Sequence, residues 1–211
     1  MGYKTEQEEF WNGRFGDEYT ERNRGSSWVA SNTAFFGQVL KRAVGIKSII
    51  ELGANIGLNL MALQRLLPGV ELAGVEINQK AADELKTNMP EAEVFRQTVL
   101  EFRPTRTWDL ALTKGVLIHM NPDMLPDVYD LLYRCSTRYV LIAEYYNPSP
   151  VELIYRGHTK KLFKRDFAGE MLDRFPDLVL RDYGFVYHRD NNFRQDDIVW
   201  FLLEKQTSRA T

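Results

Sequence analysis

The segment SIIELGANIG, residues 48–57, constrains the fold of this chain more than any other stretch. A short apolar run leads into two glycines, Gly53 and Gly57, a pattern typical of a buried β-strand that turns directly into a helix. Such a turn leaves free backbone N–H groups and the positive end of a helix at the carboxyl edge of a sheet. Open α/β sheets bind ligands at that edge, so we expect a ligand site beside these glycines.

The rest of the chain alternates short β-branched runs with longer stretches of helical spacing, which indicates an α/β fold. Strands are predicted near Ser48–Leu52, Val70–Ile77, Glu93–Thr98, Trp108–Thr113 and Arg138–Tyr146, and helices near Gly57–Leu67, Gln79–Met89 and Pro122–Cys135. Too few residues separate the last two strand-like runs, Leu178–His188 and Ile198–Lys205, for a crossover helix, so they should pair antiparallel. We therefore predict a Rossmann-like mixed sheet of seven strands, with an antiparallel terminal hairpin and helices on both faces.

The region before the first strand is predicted to be a helical cap. Thr5–Phe15 and Asn32–Ala43 have helical patterns, and the polar stretch GDEYTERNRGSSW between them is expected to be a loop that lies over the ligand site. The aromatic and arginine residues of this region suit either a lid or a peripheral helix. We expect a single domain over residues 1–211, with a cap at 1–46 and a Rossmann-like core at 47–211.

Composition excludes several classes of function. The chain has 211 residues, with 27 basic and 29 acidic side chains, so its overall charge gives no reason to expect nucleic acid as a partner. One cysteine, Cys135, excludes a disulfide framework, and three dispersed histidines predict no metal site. No apolar stretch is long enough to cross a bilayer, so we expect a cytoplasmic protein without a membrane partner. The oligomeric state stays open.

The glycine turn and a later acidic residue together indicate the ligand. Asn55 occupies the position of the second glycine of the dinucleotide fingerprint, and no Lys-Ser or Lys-Thr pair follows the turn, so pyrophosphate and triphosphate ligands are disfavoured. Glu76 ends the second predicted strand about twenty residues beyond the turn, where a carboxylate can accept from both ribose hydroxyls. Alternatively, the glycines serve only a tight turn and Glu76 caps a helix or faces water. Their complementary spacing favours an adenosine-type ligand.

These features together resemble the class I S-adenosylmethionine-dependent methyltransferases, over nearly the whole chain. Within that group, the chain is similar to the pseudaminic acid biosynthesis-associated methylase family in six segments: EEFWNGRFGDEYTERN, IIELGANIGLNL, GVEIN, LTKGVLIHMNP, VLIAEYYNPSPVEL and DDIVWFLLEK. The resemblance implies S-adenosylmethionine as the cofactor and a small, anionic, sugar-type acceptor from a nonulosonic acid or nucleotide-sugar pathway.

The resemblance also implies a set of cofactor contacts. Glu51 would orient the methionine ammonium group, and the glycines would allow close approach of the methionine part. Glu76 would take the ribose. Many relatives have an aspartate against the adenine amine where this chain has Gln97 and Thr98, which leaves the adenine contact open. The full set is Glu51, Gly53, Asn55, Gly57, Glu76, Ile77, Gln97, Thr98, Thr113, Lys114 and Gly115.

Methyl transfer from a sulfonium requires chiefly that the acceptor be held in line, and a base helps when the acceptor is a hydroxyl. His119 is the candidate base, although a histidine in an apolar run can also be structural. Tyr145, with Tyr146 and Asn147 beside it, is a candidate for contacting the acceptor. Asn147-Pro148 follows strand five, and Ser149 comes next, so we interpret YYNPSP as a turn rather than the Asn-Pro-Pro-aromatic element of amine methyltransferases.

The basic segment 156–165 admits two interpretations: it holds an anionic acceptor, or it is a solvated helix entry. Two other functions also stay open. One is a cofactor-binding module of a glycan pathway that has lost turnover. The other is an NAD-dependent oxidoreductase, which Asn55 and the terminal hairpin disfavour.

Overall fold

The computed structural model describes residues 3–206. It contains nine strands: β1 Ser48–Leu52, β2 Glu71–Glu76, β3 Glu93–Arg96, β4 Trp108–Lys114, β5 Ser136–Glu144, β6 Val151–Tyr155, β7 His158–Lys164, β8 Leu178–Val186 and β9 Ile198–Lys205. The helices are α1 Glu6–Asn12, α2 Arg14–Arg22, α3 Ser26–Val39, α4 Leu58–Leu66, α5 Gln79–Asn88, α6 Leu125–Cys135 and α7 Phe167–Arg174. Short 3₁₀ turns cover Leu40–Arg42, Leu117–His119 and Pro122–Met124.

Seven of the strands form one sheet in the order β3-β2-β1-β4-β5-β9-β8. The first five are parallel to one another, whereas β9 runs antiparallel to both β5 and β8. This topology confirms the predicted mixed sheet with an antiparallel terminal hairpin. It places the carboxyl ends of β1, β2, β4 and β5 at one edge.

The helices cover the sheet on both faces, as predicted, and each face has its own apolar core. One core includes Leu131 of α6 and Phe167 of α7, and the other includes Phe36 of α3 and Leu63 of α4. Burial on both faces explains why β1 reads as a continuous apolar run rather than an alternating one. No helix among residues 3–206 is long and apolar enough to span a membrane.

The predicted loop in the N-terminal region was wrong, because much of that stretch is helical. Residues 16–22 of the polar stretch belong to α2, and α3 begins at Ser26 rather than Asn32. Ion pairs from Glu18 to Arg14 and Arg22 stabilise the exposed side of α2. Gly16, which suggests a loop in the sequence, is a close-packing residue, since a Cβ there would lie 1.8 Å from the Trp11 carbonyl oxygen.

The basic segment after β5 forms a β-hairpin, so the helix-entry interpretation was wrong. Strands β6 and β7 pair antiparallel through the turn residues Arg156 and Gly157, whose φ angles are +48° and +85°. Two consecutive positive φ angles are typical of a tight type I′ hairpin turn, and this turn favours glycine at its second central position. The hairpin brings the basic segment next to α1.

Candidate active site

A cavity of about 490 Å³ lies at the carboxyl ends of β1, β2, β4 and β5. The sheet edge forms its floor. Helices α1 and α2, the β6–β7 turn and the end of the β8–β9 loop form its cover. Its volume falls within the range of about 300–1,000 Å³ that small-molecule sites occupy. The predicted ligand edge therefore holds a cavity of suitable size.

The glycine turn after β1 has the backbone that its sequence requires. Gly53 and Gly57 have φ angles of +77° and +84°, and Asn55 between them has a φ of +46°, a conformation that asparagine tolerates better than most residues. A Cβ on Gly53 would lie 2.5 Å from Val116 Cγ2, and one on Gly57 would lie 3.1 Å from Leu85 Cγ. Gly53 and Asn55 line the cavity, but Gly57 does not, because it packs against α5.

Glu76 joins this turn to the start of α5. Its Oε2 accepts a hydrogen bond from the Asn55 backbone N–H at 2.8 Å, and its Oε1 accepts from the Asn78 N–H at 2.7 Å. Burial raises the pKa of Glu76, and these two donors oppose that shift. A carboxylate can accept about four hydrogen bonds, so Glu76 retains acceptor capacity towards the cavity that it lines.

Glu51 lies behind the cavity wall rather than on it. Its side chain is fully buried, and its Oε1 accepts from the Asn59 side-chain amide at 2.6 Å. Burial raises its pKa to about 7, against the opposing effects of Asn59 and of the nearby Lys114 ammonium group. Asn59, which no sequence motif singles out, does line the cavity. Any ligand contact to Glu51 would therefore involve this amide or water.

The remaining predicted cofactor residues divide into two groups. Ile77, Thr98, Lys114 and Gly115 line the cavity, whereas Gln97 and Thr113 do not. Gly115 has a φ of +68°, and apart from its two chain neighbours no atom of residues 3–206 lies within 4 Å of where its Cβ would be. The Thr98 hydroxyl donates to the Glu8 carboxylate on α1. A contact from the first helix to the end of β3 thus closes this side of the cavity.

His119 lies in the cavity wall between two aromatic rings. Its ring centroid is 4.7 Å from that of Trp11 and 4.8 Å from that of Tyr155. Its Nδ1 is 2.6 Å from the Lys161 carbonyl oxygen, which can only accept, so Nδ1 carries the proton and Nε2 is the acceptor nitrogen. Burial lowers the pKa of His119 to about 4, so the ring is neutral at pH 7.

Tyr145 also lines the cavity, and Asp196 of the β8–β9 loop lies beside it. Burial and the Asp196 carboxylate raise the pKa of the Tyr145 hydroxyl. The flanks of Asp196 are fixed: the Gln195 amide donates to the Ser31 carbonyl at 2.9 Å, and Asp197 accepts from the His188 backbone N–H at 2.9 Å. Sequence reasoning missed Asp196 because its polar connector has no motif, and only the antiparallel β8–β9 pairing returns it to the sheet edge.

Other lining residues come from the cover. Trp11 and Tyr19 project from the N-terminal helices, and Arg156 comes from the hairpin turn. Burial is the main cause that raises the pKa of Tyr19. Tyr146 and Asn147 are not among the lining residues. Within residues 3–206, no group of three His, Cys, Asp or Glu side chains could hold a metal ion.

Comparisons with known proteins support this architecture at the level of fold. No protein-family model matches the chain, and no curated protein sequence does either. Solved structures match over most of their length. Magnesium protoporphyrin IX methyltransferase from Synechocystis PCC 6803, with bound S-adenosylmethionine, is 12% identical and has a TM-score of 0.66, covering 98% of this chain and 100% of its own.

Two further matches come from other bacteria. An amino pentose methyltransferase from Micromonospora echinaspora, involved in calicheamicin biosynthesis and bound to S-adenosylmethionine, is 9% identical with a TM-score of 0.63; the match covers 92% of this chain and 97% of that one. DesVI from Streptomyces venezuelae is 10% identical with a TM-score of 0.62, covering 94% and 99%. The chain therefore has the Rossmann-like fold of the class I S-adenosylmethionine-dependent methyltransferases.

Proposed function

We propose that this protein is an S-adenosylmethionine-dependent methyltransferase that acts on a small, anionic, sugar-type acceptor of a nonulosonic acid or nucleotide-sugar pathway. The observation that carries the proposal is the pairing of the glycine turn with Glu76 on one wall of the cavity, within a fold whose solved examples bind S-adenosylmethionine. The proposal takes residues 1–46 as a cap on a core of residues 47–211, within one domain.

The cavity offers groups that suit each part of the cofactor. Glu76 has spare acceptor capacity for ribose hydroxyls. Asn59 Oδ1 and Glu51 Oε2 are buried, and neither has a hydrogen-bond partner among the described residues. Buried acceptors without partners are costly, so their presence favours a ligand that carries N–H donors, such as an ammonium group. Ile77 and Thr98 lie at the ends of β2 and β3, beside Glu76, where an adenine would be placed.

Bound S-adenosylmethionine supplies an activated methyl group, so the protein has to position the acceptor and remove a proton. His119 is suited to the second task, because its Nε2 makes no hydrogen bond to any of residues 3–206. A pKa of about 4 makes the ring a weak base in the free protein. A nearby acceptor anion would raise that pKa towards the range in which a general base works well.

An anionic acceptor is supported by two arginines of the cover. Arg22 of α2 and Arg156 of the hairpin turn both line the cavity, and their guanidinium groups suit a carboxylate or phosphate. Trp11 and Tyr155 flank His119, whose side chain is buried, so a proton transfer at this ring would be shielded from bulk water. A sugar acceptor is supported by the match to the amino pentose methyltransferase. Tyr145 and Asp196 would contact its hydroxyl groups.

The first experiment is calorimetric titration of the purified protein with S-adenosylmethionine, S-adenosylhomocysteine and NAD. We expect the first two ligands to bind and NAD not to bind. Glu76→Ala should weaken the binding of both methyl-cycle ligands by at least about 10-fold, since it removes the hydrogen bonds between their ribose hydroxyls and a charged carboxylate. Glu71→Ala, at the exposed start of the same strand, is the matched control and should bind as the wild type does. If folded protein binds neither methyl-cycle ligand, the proposal is wrong.

The acceptor is tested next with labelled S-adenosylmethionine. The probes are N-acetylneuraminic acid, its CMP derivative and UDP-N-acetylglucosamine, with neutral N-acetylglucosamine as the uncharged control. Transfer to a charged probe that exceeds transfer to the neutral sugar would support the anionic acceptor. Cofactor binding without transfer to any probe would instead favour a non-catalytic binding module.

A further inference from the structure

Strand β8 forms one edge of the seven-stranded sheet. Among residues 3–206 it pairs only with β9, so the backbone groups on its outer side have no strand partner. It is nine residues long, whereas proteins commonly keep edge strands short to prevent pairing with other chains. This edge is therefore a template on which a further strand can pair.

The protection of this edge is confined to its first part. A β-bulge lies between Leu180 and Asp182, and Arg181 adds a second charge there. Bulges and charged side chains are common means by which an edge strand avoids pairing. The next five residues, YGFVY at 183–187, carry no charge and no proline, and the register with β9 is regular from Asp182 to the end of the strand. The second part of the edge is therefore open to pairing.

These five residues also expose three aromatic rings. Tyr183 is 64% exposed, Phe185 54% and Tyr187 46%. Alternate residues of a strand share a face, and the ring contacts agree with this: Phe185 and Tyr187 lie 6.1 Å apart, and Tyr183 lies 6.4 Å from Phe201 of β9. A row of exposed aromatic rings along an unprotected edge is typical of an interaction surface.

The aromatic residues of this stretch are complementary to themselves in the antiparallel direction. When two copies are related by a two-fold axis at Phe185, this residue faces its own counterpart, and Tyr183 faces Tyr187 of the other copy. Aromatic pairs directly across two antiparallel strands stabilise the pairing. One register therefore matches all three rings of each copy with rings of the other.

The remaining residues fit the same register. Val186 faces Gly184, so a branched side chain meets the smallest residue, and Asp182 faces His188, so no like charges meet at the ends of the pairing. If the axis moved by one residue to Gly184, the Asp182 carboxylate would face the apolar Val186 instead. The sequence therefore favours an axis at Phe185.

We propose that β8 pairs antiparallel with β8 of a second copy of this chain, about a two-fold axis at Phe185, to form a dimer with one continuous sheet. A large aromatic side chain buries about 150–250 Å² when it is fully covered, so the exposed parts of the three rings supply roughly 300 Å² per copy. With the paired main chain and the flanking side chains, the area buried over both copies is about 1,000 Å², the lower limit for a specific interface. The dimer should therefore form reversibly, in the micromolar range of concentration.

Light scattering coupled to size-exclusion chromatography of the full chain measures this dimer over about a 100-fold range of protein concentration. Because the axis passes through Phe185, one substitution acts twice. Phe185→Glu places two carboxylates opposite each other, and Phe185→Lys places two ammonium groups there. Each variant alone should dimerise at least about 10-fold more weakly than wild type. An equimolar mixture of the two should restore a dimer, because glutamate then faces lysine.

Val44→Glu is the matched control, since it adds the same charge at an apolar residue that is 63% exposed in the loop before β1. It should dimerise as wild type does, and thermal melts establish that each variant is folded. Wild-type protein that stays monomeric at every concentration would overturn the inference and leave this edge to a strand of another protein. Undiminished dimerisation of both Phe185 variants, or a mixture of the two that stays monomeric, would also overturn it.

Discussion

The floor and the cover of the cavity are built in different ways. The floor consists of the glycine turn, Glu76 and the end of β4, and its defining contact joins residues 55 and 76. The cover consists of α1, α2, the β6–β7 hairpin and the β8–β9 loop. Its contacts join distant parts of the chain, such as Gln7 to the Lys160 carbonyl at 3.0 Å and Gln195 to Ser31. The floor follows from one local motif, whereas the cover depends on packing across the whole chain.

This difference has a physical basis. Positive φ angles at Gly53 and Gly57 are properties of the local backbone and are visible as residue types. Contacts such as that of His119 with the Lys161 carbonyl involve a backbone oxygen, which every residue carries, so no residue type indicates them. The cover is therefore expected to determine the acceptor, and the floor to determine the cofactor.

Substitution of Glu144 is expected to cause the largest loss of stability, because its carboxylate supports both the floor and the cover. Its Oε1 accepts from the N–H groups of Val116 and Leu117 at 3.0 Å each, and its Oε2 accepts from that of Ile118 at 3.4 Å. Those residues lead from the floor to His119. Glu144→Ala would leave several buried donors without partners, at about 1–3 kcal/mol each, so we expect a loss of at least about 3 kcal/mol in the free energy of unfolding.

Urea unfolding measures this loss, and Glu144→Gln is the matched control. Burial raises the pKa of Glu144 to about 7, so the protonated form is well populated near neutral pH and glutamine resembles it. Glutamine should therefore cost clearly less than alanine. If both variants unfold within about 1 kcal/mol of wild type, Glu144 does not organise this loop.

The sequence was informative about the floor because the floor is built from a local motif whose residue types are visible in the sequence. The seven-stranded mixed sheet, its antiparallel terminal hairpin, Glu76 at the end of β2 and the turn at Gly53 were all predicted. The hairpin was not, because the charges of segment 156–165 obscured its apolar positions, such as Leu162 and Phe163. Helix α2 was missed because Gly16 and its many charges suggest a loop, although Gly16 is needed for packing against Trp11.

His119→Gln separates the two regions by function. Glutamine can still donate to the Lys161 carbonyl but cannot act as a base, so methyl transfer to any acceptor found in the screen should fall about 100-fold. Binding of S-adenosylhomocysteine should stay within about twofold, because the floor is unchanged. His188→Gln, at an exposed site paired with Asp197, is the control. Unchanged transfer in His119→Gln would make His119 a structural residue.

Glu51 is expected to give the floor a distinctive pH dependence. Its pKa is about 7 in the folded protein and about 4.3 in the unfolded chain, so between these values the folded state holds a proton that the unfolded state has lost. Stability should therefore fall as pH rises through this window, by up to about 1.4 kcal/mol per pH unit from this group, and level off above pH 7.

Urea unfolding of wild type and Glu51→Gln at pH 5 and pH 7 measures this dependence. The variant should lose less stability than wild type over the interval, although Glu144 maintains part of the slope. Glu91→Gln, at an exposed site, should follow wild type. Parallel behaviour of wild type and Glu51→Gln would show that Glu51 is ionised throughout.

Thr20→Val gives the smallest expected effect, but it tests the contact between cover and floor directly. The Thr20 hydroxyl on α2 donates to Asn55 Oδ1 at 3.0 Å, and the side chain is buried. Valine preserves the shape and removes one hydrogen bond, so we expect a loss of about 1 kcal/mol in the free energy of unfolding. Thr33→Val removes a similar bond within α3, to the Val29 carbonyl, and is the control.

If the cover holds the turn in its ligand-binding shape, Thr20→Val should also weaken the binding of S-adenosylhomocysteine by up to about 5-fold, and Thr33→Val should not. Equal loss of stability in both variants with unchanged ligand binding would mean that the floor is preorganised by Glu76 alone and that the cover serves only the acceptor.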